Sequence, residues 1–118
     1  MINLPFIERA HEAFKVQDFE GALKYYTIEL NKDKENITIM NNIGFIHYFT
    51  YHLKEAKEFF SRVVQIDEDD QIGWFGLFLV ARKQKDTNLE RMCLFKVYQI
   101  NDLPFDMLLE NIDSFLNN

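Results

Sequence analysis

The stretch Ile37 to Asp70, ITIMNNIGFIHYFTYHLKEAKEFFSRVVQIDEDD, constrains the fold more than any other part of the chain. Its first half spreads apolar side chains over more than one face of a helix, at Met40, Ile43, Phe45, Ile46, Tyr48 and Phe49. Its second half places Leu53, Ala56, Phe59, Phe60, Val63 and Val64 at three- and four-residue spacing, the period of a helix with one buried side. Two helices of about a dozen residues each cannot hide that much carbon from water on their own. They need neighbours, and the flanking sequence supplies close relatives of the same unit.

The first helix is expected to open at Asn3 or Leu4, with Asn3 as its cap and Pro5 in the first turn. Its apolar stripe holds Phe6, Ile7, Ala10, Ala13 and Phe14. Asp18 stands where it can cap a second helix, whose inner face carries Phe19, Ala22, Leu23, Tyr26 and Leu30. The run NKDKEN at 31–36 is a polar break. The acids of Asp67 to Asp70 sit at the start of the next helix, where the helix dipole favours them. IGWFGLFLVARK then forms a fifth helix, and Leu89, Met92, Leu94, Val97, Tyr98 and Ile100 support a sixth. Pro104 breaks the chain, and Phe105 to Leu116 has the pattern of a seventh, closing helix. No segment reads as a strand.

Composition narrows the function classes. At 118 residues the chain has the length of one domain. With 13 Lys+Arg against 19 Asp+Glu its net charge is −6, which argues against a surface that displaces counterions from nucleic acid or adheres to anionic membranes. The single cysteine, Cys93, cannot close an internal disulfide and suits a reducing compartment. No apolar run reaches the length of a membrane span, and MINLPFIERAHEAF lacks a basic leader, so neither membrane partner nor signal peptide is expected. A cytoplasmic location is the resulting expectation.

Sliding the sequence by ~34 residues, the period of one class of helix-turn-helix repeat, brings the units into register. Phe6, Met40 and Trp74 superpose, as do Ala10 and Gly44, Phe19 and Leu53, Ala22 and Ala56, and Tyr26, Phe60 and Leu94. The pattern Met40…Ile43-Gly44…Ala56…Phe60 resembles the tetratricopeptide repeat (TPR) family, and Phe6…Ala10…Phe19…Ala22…Tyr26 repeats it. Small residues let paired helices approach, with Gly44 expected against Ala56. The resemblance implies an all-α, right-handed α-solenoid of three helix-turn-helix repeats over about 3–36, 37–70 and 71–104, with a seventh, capping helix over 105–117. The third unit departs from the pattern, with Phe78 and Glu90 where the small pair belongs, so its helices are expected to pack more loosely or at another angle.

In proteins of this kind the first helix of each pair lines a concave groove that holds a peptide. Carried over by position, the groove takes Leu4, Ile7, Glu8, His11, Phe14 and Lys15 from the first unit. The second gives Thr38, Asn41, Asn42, Phe45, Tyr48 and Phe49, and the third Ile72, Phe75, Gly76, Leu79, Arg82 and Lys83. One Glu against two Lys and one Arg gives this face a charge of +2, leaving −8 on the rest of the chain. The expected ligand is an apolar peptide or helix of a partner protein, with aromatic anchors in the groove and acidic residues near Arg82 and Lys83. The alternative for these aromatics is that they turn inward and complete the core.

One branch of the family grips the terminal carboxylate of chaperone tails. Asn42 matches its central asparagine, but Ile7, His11, Ile72 and Gly76 stand at its other positions, so binding of that type is not expected. No further chemistry emerges. His11, His47 and His52 lack metal-ligand spacing, the acidic run has no calcium-loop glycine, and Cys93 reads as a buried small hydrophobe. With no catalytic residues, metal or cofactor indicated, the leading expectation is a non-enzymatic adaptor or chaperone-like module. The alternative is a self-associating structural protein, a homodimer built on the aromatic groove or the third repeat.

Overall fold

A computed structural model describes residues 4–102. Among them the chain forms six helices and no strand: α1 (Phe6–Lys15), α2 (Phe19–Lys32), α3 (Ile37–Phe49), α4 (Leu53–Ile66), α5 (Gln71–Gln84) and α6 (Thr87–Ile100). The closing helix expected over 105–117 lies outside the described residues. Each helix packs on the next, and α3 also touches α5, so three antiparallel hairpins stack along an axis. The result is an elongated all-α solenoid with extents of 55 × 24 × 22 Å.

The helix starts follow from short polar side chains. Asp18 Oδ1 accepts from the Gly21 N–H at 3.0 Å, Asn36 Oδ1 from Ile39 N–H at 3.1 Å, Asp70 Oδ2 from Gly73 N–H at 2.8 Å and Asp86 Oδ1 from Leu89 N–H at 3.2 Å. Each satisfies a donor that the helix itself leaves unpaired. α1 departs from the expectation. It starts at Phe6, with Pro5 in the cap position, extended at ψ 152° and offering no side-chain cap. α2 also runs further than expected, through Asn31 and Lys32, because both side chains stay exposed and neither breaks a helix.

The turn within each hairpin repeats with the sequence. Gln17, Tyr51 and Lys85 adopt left-handed backbone, at φ 63°, 63° and 59°. The following N–H then reaches back, from Asp18 to Ala13 O, His52 to His47 O and Asp86 to Ala81 O, at 2.8, 2.8 and 2.9 Å. This is the left-handed closure that ends many helices. It recurs at the ~34-residue repeat.

The core has two continuous parts. One gathers Ala10, Ala22, Tyr26, Met40 and Ile43 between the first two hairpins; the other gathers Ala56, Phe60, Trp74, Leu77 and Cys93 between the second and third. Trp74 is fixed further by its indole N–H, which donates to Glu68 O at 2.8 Å. Phe60 is the hinge of the second part. A methyl group placed on Gly44 would fall 2.8 Å from its ring, and one on Gly76 would overlap it. The small residue at Gly44 therefore admits the Phe60 ring, where the sequence reading set it against Ala56. Gly76 is likewise buried under that ring, not presented to the groove as expected.

The third hairpin also corrects the sequence reading. α5 and α6 lie together as extensively as the other pairs. Phe78 is accommodated as a buried core side chain, and Glu90 is buried at 5% exposure with its Oε1 at 3.9 Å from Arg82 Nε.

Candidate functional site

The stacking brings the C-terminal ends of α1, α3 and α5 side by side, and Phe14, Lys15, Phe45, Tyr48, Phe49, Leu79, Arg82 and Lys83 of the expected groove residues gather there. Phe14 at the end of α1 lies edge-on to Phe19, with ring centroids 6.0 Å apart, and Phe19 stacks on Phe49 at 5.8 Å. Phe49 in turn stacks on Phe45 at 6.2 Å and meets the edge of Tyr48 at 5.6 Å. The strip of rings thus runs without a break from α1 across α3. Two clefts flank it. The first, of about 460 Å³, is lined by Phe14, Lys15, Gln17, Phe19 and Phe49. The second, of about 390 Å³, is lined by Tyr48, Leu79, Arg82 and Lys83. The Tyr48–Phe49 contact joins them; the first carries one cation on its wall, Lys15, and the second two, Arg82 and Lys83.

The rings differ in what they offer a ligand. Phe49 is 51% exposed, whereas Phe45 is half-buried and directed edge-on at the Phe60 ring, 5.0 Å away. Lys83 lies with its ammonium 6.0 Å from the Tyr51 ring, a cation–π placement that holds the long side chain beside the second cleft. Arg82 is half-buried, reaching toward Glu90 as well as lining that cleft.

The polar members of the expected site are tied into the scaffold. The Tyr26 hydroxyl, from α2, lies 2.6 Å from His11 Nδ1 and accepts from Asn42 Nδ2 at 3.3 Å. One buried phenol so joins α1, α2 and α3. Burial raises its pKa above the usual tyrosine value, a shift that the Asn42 hydrogen bond partly offsets. Asn41 points the other way. It is 4% exposed, and its Nδ2 donates to Asp70 Oδ2 at 2.9 Å, the same oxygen that caps α5. Its amide fastens the second hairpin to the third and lies beneath the surface.

Ile7 is half-buried against the first core cluster. Ile72 and Phe75 are exposed, at 52% and 45%, toward the start of α5; neither lines the two clefts, and Phe75 stacks on Phe78 at 6.1 Å. Phe19, assigned by periodicity to the inner face of α2, packs half-buried against the first core cluster and also forms a wall of the first cleft. As the first residue of its helix it lies at the end of the apolar stripe, where helical period does not separate core from edge. Among the described residues no three His, Cys, Asp or Glu side chains come together as a metal site. None of the described helices is long and apolar enough to cross a membrane.

No family model matches the sequence. The chain is 28% identical over 82 residues to Superkiller protein 3 of Schizosaccharomyces pombe, a match that covers 70% of this chain and 6% of that protein. It therefore spans a small part of that relative's length. Solved structures resemble it closely in shape. The first TPR of Spaghetti (RPAP3), bound to the HSP90 peptide SRMEEVD, has a TM-score of 0.81 at 12% identity, over 93% of this chain and 86% of that one. The Arabidopsis OM64 TPR domain reaches 0.79 at 11% identity, over 95% of this chain and 88% of that one. The first TPR domain of human RPAP3 reaches 0.80 at 14% identity, over 95% and 90%. Identities this low establish the fold and leave the ligand open. In fold, the chain matches the tetratricopeptide-repeat domains of these solved structures.

Proposed function

We propose that the protein is a non-catalytic interaction module that holds an apolar segment of a partner protein across the ends of α1, α3 and α5. The observation that carries this reading is the pair of clefts joined at Tyr48–Phe49, each walled by aromatic or aliphatic side chains and by one or two cations. Phe14, Phe49, Tyr48 and Leu79 supply the apolar contacts; Lys15, Arg82 and Lys83 pair with acidic residues of the ligand. A rigid aromatic costs little side-chain entropy on binding, so exposed rings of this kind make effective anchors. The likeness in shape to a TPR domain bound to a peptide supports peptide capture as the mode.

The ligand differs from the HSP90 peptide of that neighbour. At the positions where one branch of the family it resembles grips a terminal carboxylate with lysine, asparagine and arginine, this chain holds Ile7, His11, Ile72 and Gly76. Asn42, the remaining position, donates to Tyr26. The test is affinity capture from the native host with wild-type protein and with Phe49→Glu. Phe49 is the substitution of choice because it is exposed, while Phe45 packs on the core ring of Phe60. Partners captured by the wild type are lost from the variant at unchanged helicity. Capture that survives the charge removes the groove from the account.

A further inference from the structure

A second apolar cleft shares Phe19 with the first, so that ring is the wall between them. Its floor is Phe19, Leu23 and the buried Ile46, and its volume is about 410 Å³. That is room for one or two side chains of a partner, in the range of ligand pockets generally. The rim is contributed by α2, α3 and α4: Glu20, His47, Thr50, His52 and Glu55. The formal charges lining it are both negative, and no Lys or Arg is among its lining residues.

The rim is held in place. His47 stacks on Phe59 at 5.7 Å and meets the edge of His52 at 5.9 Å. The Thr50 hydroxyl donates to Ile46 O at 2.8 Å and lies 2.8 Å from His52 Nδ1. These contacts fix the His52 ring beside the cleft. Two carboxylates around a carbon floor are complementary to one kind of ligand: an apolar side chain with a cation beside it.

We propose that this cleft is a second recognition site, selecting a partner segment in which an apolar side chain adjoins lysine or arginine. It is opposite in charge preference to the aromatic clefts, whose walls carry Lys15, Arg82 and Lys83. The chain's own residues 103–118 do not suit it, since they contain Asp106, Glu110 and Asp113 and no Lys or Arg. The proposal stands independently of the groove reading.

The experiment is a titration of isotope-labelled full chain, followed by amide NMR, with acetyl-Leu-Arg-Leu-Arg-amide and with acetyl-Leu-Glu-Leu-Glu-amide. The basic peptide shifts the Thr50, His47 and His52 signals saturably, and the acidic peptide leaves them in place. In the Glu20→Gln, Glu55→Gln double variant, where both changed side chains are exposed and the fold is unaffected, the midpoint rises about three- to tenfold. The proposal is overturned if those signals stay still, if both peptides move them alike, or if the double variant titrates as wild type. It is overturned equally if the basic peptide moves only Tyr48, Arg82 and Lys83.

Discussion

The ring of Phe60, on the second helix of the middle hairpin, lies directly against the backbone of Gly76 on the first helix of the next, leaving no space for a Cβ. The ring is fully buried, and the neighbouring Gly44 bounds it from its own hairpin, so it has nowhere to move. This contact sets how closely α5 approaches α4, and so where Leu79, Arg82 and Lys83 stand relative to Tyr48.

Gly76→Ala is therefore expected to destabilise the array. The substitution gains ~1 kcal/mol of helix propensity. Overpacking against an immobile ring costs ~1–3 kcal/mol, which outweighs that gain. Urea denaturation should show a lowered midpoint, restored in large part when Phe60→Leu is added. A midpoint at or above wild type would place the two helices further apart than described.

The left-handed turn residues give a prediction of the opposite sign. Lys85 holds φ 59° without being glycine, a conformation that costs an L-residue ~1 kcal/mol. Lys85→Gly removes that strain, at some loss from the freer unfolded chain. The expected net effect is a small rise in thermal midpoint, by ~1–3 °C. A fall would mean that the Lys85 side chain makes a contact worth more than the strain.

Cys93 is fully buried, and its thiol is pushed up to about 12, first by burial and then by the nearby Asp86. A thiol reagent at pH 8 should leave the native protein unmodified and titrate one group in denaturant. Rapid native reaction would show that the third hairpin opens readily.

His47 makes stability depend on pH. Burial holds its imidazole below the ordinary value of 6.5, with Glu55 partly opposing. The unfolded chain therefore takes up the proton first. Stability is fully present above the ordinary value and falls as the pH drops from there through the lower folded value. Denaturant midpoints measured from pH 8 down to pH 5 should decline more steeply for wild type than for His47→Phe, which keeps the stack on Phe59 and cannot protonate. Equal slopes would remove His47 as the source.

The neighbour's peptide supplies a negative test. SRMEEVD, seen bound to the first TPR of Spaghetti (RPAP3), should show no heat of binding to this chain at peptide concentrations up to ~1 mM. Micromolar binding would mean that cations elsewhere on the face replace the missing clamp.

The repeat, the helix pairing, the cap at Asp18 and the acidic start of α5 at Asp67–Asp70 were readable because each rests on local periodicity or on short side chains. The turns were not. Gln17, Tyr51 and Lys85 share a backbone conformation and no side-chain chemistry, so nothing in their identity announces it. Successive helical positions are about 100° apart, which ought to separate Asn41 from Asn42. α3 is apolar on so many sides that its inner face cannot be told from pattern alone, and the structure is needed to send Asn41 to Asp70 and Asn42 to Tyr26. Gly44 advertised a close approach but not its partner; the Phe60 ring that fills the gap comes from the other helix of the same hairpin. Tyr48, Phe49, Leu79, Arg82 and Lys83, carried over by repeat position, come together at the two clefts, whereas Asn41 and Gly76 are buried.

The most direct test of the central claim is selection of a random-peptide display library on immobilised wild-type protein, with each enriched peptide then titrated against wild type and Phe49→Glu. The account expects a class of peptides pairing aromatic or aliphatic residues with Asp or Glu, weakened at least about tenfold by Phe49→Glu and weakened also by Lys83→Glu. Absence of that class, or its undiminished binding to Phe49→Glu, would contradict it.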